Sequence, residues 1–200
     1  MKTQITVAAV LACMLSGAMA ADAANPQATA SAILAGGCFW CTEADFEKLP
    51  GVISAESGYT AGKTANPSYQ EVSSGATGHT EAVRIVYDPA RVSYPQLLDH
   101  FWRNVDPTVK DRQFCDHGSQ YRSGIYYLDD KQRAAAEASR DALLKSGRFK
   151  QIHTEIVAAS TFYPAEEYHQ DYYKKNPIRY QYYRRGCGRD ARLEQLWGAR

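Results

Sequence analysis

Gly36-Gly37-Cys38-Phe39-Trp40-Cys41-Thr42-Glu43 follows the apolar run Ala32-Ile33-Leu34-Ala35 and leads into Ala44-Asp45-Phe46-Glu47-Lys48-Leu49. The run reads as a short buried strand, and Phe46 and Leu49 are spaced for one face of a helix. Two glycines permit a tight strand-to-helix turn and put Cys38 at or near the helix start. There a thiol meets unpaired backbone N–H groups and the positive end of the helix dipole, which predicts a thiolate. Cys41 falls on the same side one turn later, within reach of the first sulfur. Phe39 and Trp40 set an aromatic wall between the two sulfurs. The pattern is that of a redox site, and the rest of the chain reads as its support.

Working outward, Gly51 to Tyr59 reads as a turn, a strand and a second turn, followed by a polar, glycine-containing loop from Thr60 to Pro67. Tyr69 to Ser73 suggests one helical turn. Thr80 to Tyr87 alternates, with Glu81, Val83, Ile85 and Tyr87 on one face. Tyr94 to Val105 has helical periodicity behind an N-cap at Ser93 and Pro95 in the first turn. Tyr121 to Leu128 reads as a strand, Asp130 to Ser146 as a helix closed by Gly147, and His153 to Ala159 as another strand. A helix is expected to start at Tyr163-Pro164 and end near Pro177, and a last amphipathic one to cover Arg189 to Trp197. Helices and strands mix without a clean βαβ alternation, which predicts an α+β fold: a two-layer mixed sheet with helices packed on it.

The first residues stand apart. Lys2, the apolar Ile5 to Leu15 and the A-x-A site Ala18-Met19-Ala20 read as a secretory signal cleaved after Ala20. The run is too short to span a membrane. Acylation of Cys13 after Val10-Leu11-Ala12, giving a lipoprotein, is the other reading, with Leu11 a poor fit. Residues 21–30 are expected to be a flexible leader and 31–200 a single catalytic domain, periplasmic or secreted. Lys+Arg 23 against Asp+Glu 22 falls to formal neutrality once Lys2 is removed, which argues against a nucleic-acid partner. The late arginines (Arg179, Arg184, Arg185, Arg189, Arg192) read as a solvated face.

Four cysteines follow the leader: Cys38, Cys41, Cys115 and Cys187. An exported protein keeps disulfides, so a structural pair is one reading. A bridge across two residues stabilises little, however, and such close pairs are more often redox-active or metal ligands. Large aromatics between the sulfurs disfavour a zinc knuckle, so no metal is expected. Glu81, on an otherwise apolar face, is either frayed out at a strand end or held in a cleft, where it would stay protonated and able to give up a proton. With 14 tyrosines, pattern alone does not single out Tyr59 or Tyr121. Asp116-His117-Gly118-Ser119-Gln120-Tyr121-Arg122-Ser123 reads as turn and N-cap chemistry.

Together these segments resemble the A-type peptide methionine sulfoxide reductases. Gly36-Gly37-Cys38-Phe39-Trp40 is similar to the family's catalytic motif. Gly58-Tyr59-Thr60, Gly78-His79-Thr80-Glu81-Ala82-Val83, Asp116 to Ser123, and Phe162-Tyr163 through His169-Gln170 resemble its other signatures, in order. The resemblance implies a ferredoxin-like core and thiol-dependent reduction of methionine-S-sulfoxide, free or in proteins. It implies Cys38 as nucleophile, Glu81 as the acid that protonates the sulfoxide oxygen, and Tyr59, Tyr121 and Asp116 as hydrogen-bonding groups around it. Phe39 and Trp40 would form the pocket for the substrate methyl. The Cys38 sulfenic acid would condense with a resolving cysteine, Cys41 first, with Cys187 on a mobile glycine-flanked segment passing the disulfide outward. Cys115 is expected to stand aside. No bound cofactor is implied; a thioredoxin-like external dithiol resets the enzyme, expected to be a monomer. The alternative is a general exported thiol–disulfide oxidoreductase, which the C-x-x-C spacing invites.

Overall fold

The computed structural model describes residues 28–198. The expected signal, its cleavage site, Cys13 and residues 21–27 of the leader lie outside the described residues. Ala30 already belongs to a strand.

The central strand β1 (Ala30–Gly36) runs into helix α1 (Phe39–Glu47) with Cys38 as its N-cap. Gly37 makes this possible: its φ is +85°, and a Cβ there would meet Gln113 Cβ at 2.5 Å. Strands β2 (Val52–Thr60) and β3 (Thr80–Tyr87) follow, with the one-turn helix α2 (Tyr69–Ser73) between them. Then come α3 (Tyr94–Trp102), the small hairpin β4 (Arg112–Gln113) and β5 (Asp116–His117), and a 3₁₀ turn over Ser119–Tyr121. β6 (Ser123–Tyr127), α4 (Asp130–Lys145), β7 (Glu155–Ala158) and β8 (Tyr163–Pro164) complete the sheet region. Three helices close the chain: α5 (Tyr172–Lys175), α6 (Pro177–Gly186) and α7 (Arg189–Trp197).

The six-stranded sheet has the order β7-β6-β1-β3-β2-β8 and is antiparallel except for the β6–β7 pair, so it is mixed, as the α+β reading expects. One face carries Leu34, Val83, Ile85, Tyr87 and Ile125, packed against Phe46 of α1, Leu97, Leu98 and Phe101 of α3 and Ala136 of α4. The opposite face holds a smaller cluster, Ile33, Ala35, Ala82 and Tyr126, partly covered by Phe162. Ser93 caps α3 in a capping box with Gln96, with proline in the first turn as expected.

Three expectations fail beyond Tyr163. The helix predicted to start there is a two-residue strand and a series of turns before the one-turn α5, because long-range partners hold its backbone. Tyr163 and Pro164 pair with Tyr59 and Gly58, and Gln170 bonds both the N–H and the C=O of Ser57. The segment around Cys187 is not a free loop: it is the short junction between α6 and α7, with Cys187 as the C-cap of α6. Nor are all the late arginines solvated. Arg189 is 2% exposed, Arg184 pairs with Asp45 and Asp190, and Arg192 pairs with Asp106.

Candidate active site

β1 pairs with β3 only as far as Leu34 opposite Val83, so Glu81 lies past the end of that pairing, beneath the start of α1. The Phe39 N–H donates to Glu81 Oε2 at 2.9 Å. The next N–H groups turn inward, with those of Cys41 and Thr42 bonding the Cys38 carbonyl at 3.1 and 3.3 Å. These three donors go to Glu81 and to the Cys38 backbone, and the Cys38 side chain accepts no capping hydrogen bond from the helix. This corrects the expectation of a resting thiolate at Cys38. The side chain is 6% exposed, and burial, followed by its hydrogen bond with Cys41, pushes the thiol well above its ordinary range. Cys41, 1% exposed, is brought to about 7 because the hydrogen bond from Cys38 outweighs burial, with the Arg189 and Arg184 charges adding to it. Both cysteines are free thiols.

Burial also lifts Glu81 to about 8, against the pull of the Phe39 N–H, and the Asp116 charge pushes the same way. At 2% exposure this carboxyl is a proton donor at neutral pH. It is no frayed strand end. Tyr59 faces it directly across the β2–β3 pair.

The apolar wall has the residues the sequence suggests and more. Phe39 packs 5.8 Å from the Tyr59 ring and 5.0 Å from His169, ring centre to ring centre. Trp40 stacks on Tyr172 at 3.7 Å, and its indole N–H donates to His169 Nδ1 at 3.0 Å. Tyr69 lies 4.4 Å from His169. The Tyr59 hydroxyl donates to Glu166 at 2.8 Å, and the other Glu166 oxygen accepts the Tyr69 N–H at 2.8 Å. Burial favours neutral Glu166, but the Tyr69 N–H and the Tyr59 hydroxyl overcome it and hold the carboxyl below its ordinary range.

Tyr121 ends the 3₁₀ turn, which the Thr80 hydroxyl ties to β3 through the Gln120 carbonyl. Burial raises Tyr121, and the charges of Glu81, Tyr69, Asp116 and Cys38 push the same way. The Tyr183 hydroxyl donates to Asp116 Oδ2 and interacts with the Cys38 sulfur. Cys38, Glu81, Tyr59, Tyr121, Asp116, Phe39, Trp40 and Cys41 thus converge. Cys187 does not join them: it is disulfide-bonded to Cys115, the cysteine expected to stand aside. Sequence reasoning missed Tyr183, Tyr69 and Glu166; nothing distinguishes those two tyrosines from the other twelve before the fold is known.

Two further groups of close metal-ligating side chains occur among the described residues, and both are engaged. One is Cys115, Asp116 and Cys187, where the sulfurs are bonded to each other. The other is Glu43, Glu47 and Asp171, where the Lys174 ammonium pairs with Glu47 and with Asp171 at 2.7 Å each. The cluster around Cys38 offers a buried dithiol, a protonated carboxyl and phenolic groups around one aromatic pocket. That set can attack a soft electrophilic centre and protonate the oxygen attached to it.

Comparison with known proteins agrees. The family described as "Peptide methionine sulfoxide reductase" matches residues 30–200. A peptide methionine sulfoxide reductase MsrA of Bacillus licheniformis is 53% identical over 168 residues, which are 84% of this chain and 93% of that protein. The crystal structure of Mxr1 from Saccharomyces cerevisiae in reduced form superposes with a TM-score of 0.70 at 35% identity, over 77% of this chain and 89% of that one. Mxr1 in complex with Trx2 superposes at 0.51 and 26% identity, over 74% of this chain and 87% of that one.

Proposed function

The chain belongs to the peptide methionine sulfoxide reductase family, and we propose the following division of labour for its reduction of methionine sulfoxide. The carrying observation is the protonated Glu81 carboxyl on the N–H next to Cys38. A sulfoxide sulfur is a weak electrophile, and attack on it drives charge onto the oxygen. The substrate methyl packs against Phe39 and Trp40, and its oxygen points toward Glu81, Tyr59 and Tyr121, with Asp116 behind. As the Cys38 sulfur bonds to the substrate sulfur and the thiol proton is lost, Glu81 delivers a proton to that oxygen. Such a positioned acid is worth ~10²–10⁴ in rate, and the phenolic donors add electrostatic stabilisation. Collapse releases methionine and leaves Cys38 as sulfenic acid; the thiol proton ends, in net balance, on the sulfenic oxygen.

Cys41 resolves it. Its sulfur already touches Cys38, and a pKa of about 7 gives a large thiolate fraction at neutral pH. The thiolate attacks the sulfenic sulfur, water leaves, and a Cys38–Cys41 disulfide forms. An external thioredoxin-like dithiol restores the thiols. The S epimer is the expected substrate, free or in proteins. Residues 1–20 direct export, with cleavage after Ala20, to a periplasmic or extracellular site.

The test is an assay with resolved epimers of methionine sulfoxide and a dithiol. Turnover of the S form, lost in Cys38→Ser and strongly reduced in Glu81→Gln, supports the assignment. Equal loss of disulfide exchange in Glu81→Gln would point to the general oxidoreductase instead.

A further inference from the structure

The residues assigned to the sulfoxide oxygen come from three separate stretches of chain. Tyr59 and Glu81 sit opposite each other in β2 and β3, and Tyr121 ends the 3₁₀ turn. The β2–β3 ladder stops at Thr60 opposite Thr80. Past that point it no longer fixes the two strand ends to each other, and it never reaches the 3₁₀ turn.

Arg122 spans the gap. Its side chain is 16% exposed, and its guanidinium meets all three stretches through their backbones. Nη1 donates to the Ser119 carbonyl at 2.7 Å, just before Tyr121. Nη2 donates to the Gly78 carbonyl at 3.3 Å, on the approach to Glu81, and to the Ala61 carbonyl at 3.5 Å, just after Tyr59. Nε donates to Glu155 of β7 at 2.8 Å, and the Tyr126 hydroxyl donates to the same carboxylate oxygen, so the fork is held from behind. Arginine alone among side chains offers donors on three nitrogens in one plane; a lysine ammonium is a single point. A second tie crosses the same gap. The Thr80 hydroxyl, fully buried, donates to the Gln120 carbonyl at 3.1 Å, which joins the neighbour of Glu81 to the neighbour of Tyr121.

We propose that Arg122, together with Thr80, is a positioning clamp that sets the spacing of Glu81, Tyr59 and Tyr121 around the substrate oxygen. This rests on the reductase reading above. Neither residue acts on the reacting atoms; each acts through the backbone it gathers. Proton delivery depends on that spacing, since a misplacement of about 1 Å can lower a rate ~10²-fold. Cys38 is carried by α1, to which neither Arg122 nor Thr80 donates. Loosening the clamp should therefore impair the chemistry at the oxygen and leave the chemistry at the sulfur intact.

The experiment measures two rates at pH 7 in wild type, Arg122→Lys and Thr80→Val. One is single-turnover methionine release without external reductant, which needs a sulfur nucleophile and a proton for the oxygen. The other is alkylation of Cys38 by iodoacetamide, located by fragment mass spectrometry, which needs the sulfur alone. The clamp predicts that release falls at least tenfold in Arg122→Lys and at least threefold in Thr80→Val, with alkylation within twofold of wild type in both. Each substitution should also lower release by at least threefold less in a Glu81→Gln background, where the acid to be positioned is gone. Thr80→Val replaces a buried hydroxyl by a methyl of similar size, so it decides the question if Arg122→Lys does not fold. Release within twofold of wild type in either folded variant, alkylation that changes by the same factor as release, or an undiminished loss in Glu81→Gln would overturn the clamp. No methionine from the wild type would overturn the reductase reading and the clamp with it.

Discussion

A carboxyl that donates a proton near neutral pH must be kept from ionising, and a hydroxyl that donates must not be spent elsewhere. Glu81 meets the first condition by burial beneath α1. Tyr59 is more constrained, because its single proton goes to Glu166 at 2.8 Å. Tyr59 must therefore exchange that partner before it can donate to a substrate oxygen, and Glu166 sets where the hydroxyl waits. Glu166→Gln is expected to lower kcat/KM in the wild-type background and to lower it much less in Tyr59→Phe, a coupling of ~0.5–3 kcal/mol. Equal factors in the two backgrounds, read from single-turnover rates, would contradict this. At this scale the sequence offered Cys38, Cys41 and their aromatic spacer directly, since spacing alone puts them on one helix turn. Glu81 was ambiguous because a carboxyl two residues from Val83 looks the same frayed or buried. Only the end of β1 at Gly36, which leaves Glu81 under a helix start, decides it.

Among the elements, α1 explains both a success and a failure of pattern reading. Its existence and start at Cys38 follow from the two glycines. Its face does not, because seven residues are buried: Phe39, Cys41, Thr42, Glu43, Ala44, Asp45 and Phe46. The helix lies between the sheet and the C-terminal segment, and a helix covered on both sides loses its amphipathic signature. Its polar residues anchor it instead. Glu43 accepts the Ser57 hydroxyl and the Asp171 N–H, and Asp45 pairs with Arg184 at 2.9 Å. The Glu43 bond to the Asp171 N–H, with those of Gln170 to Ser57, overrides local helix propensity in 165–171, and neither was visible in sequence. Burial raises Glu43 to about 7. A carboxyl raised by folding contributes stability in full below its unfolded pKa and loses it as pH rises through the folded value. Urea unfolding should therefore show wild type losing stability relative to Glu43→Gln between about pH 4.5 and 7, by up to ~1.4 kcal/mol per pH unit. A pH-independent difference between the two would contradict it.

Across the whole molecule, the C-terminal helices close what the first strand and helix open. The buried Arg189 guanidinium donates to the Gly36 carbonyl at 3.1 Å and to the Asn104 carbonyl at 2.8 Å, lies 3.6 Å from Asp45, and helps hold Cys41 at about 7. Arg189→Met should cost ~1–3 kcal/mol for each buried carbonyl it leaves without a donor, Gly36 and Asn104, while Asp45 keeps Arg184. It should also move the Cys41 titration, followed by the pH dependence of alkylation in a Cys115→Ser/Cys187→Ser background, upward. An unmoved titration would show that Arg189 is structural only. The mixed sheet was legible from alternation over Thr80 to Tyr87 and the capped helices. α6 was not, because only Tyr180 of its residues is fully buried and its tyrosine- and arginine-rich sequence carries no apolar stripe.

In the proposed mechanism the two ends of that architecture meet: Glu81, from the third strand, hands a proton to the oxygen while Cys38, at the tip of the first helix, attacks the sulfur. The pH dependence of the single-turnover rate of methionine release tests it most directly. In the wild type kcat/KM is expected to fall as pH rises through about 8, where Glu81 loses its proton. In Glu81→Gln that limb should be absent and the rate ~10²–10⁴ lower below it. A Glu81→Gln enzyme that keeps both the wild-type rate and the fall above pH 8 would contradict it.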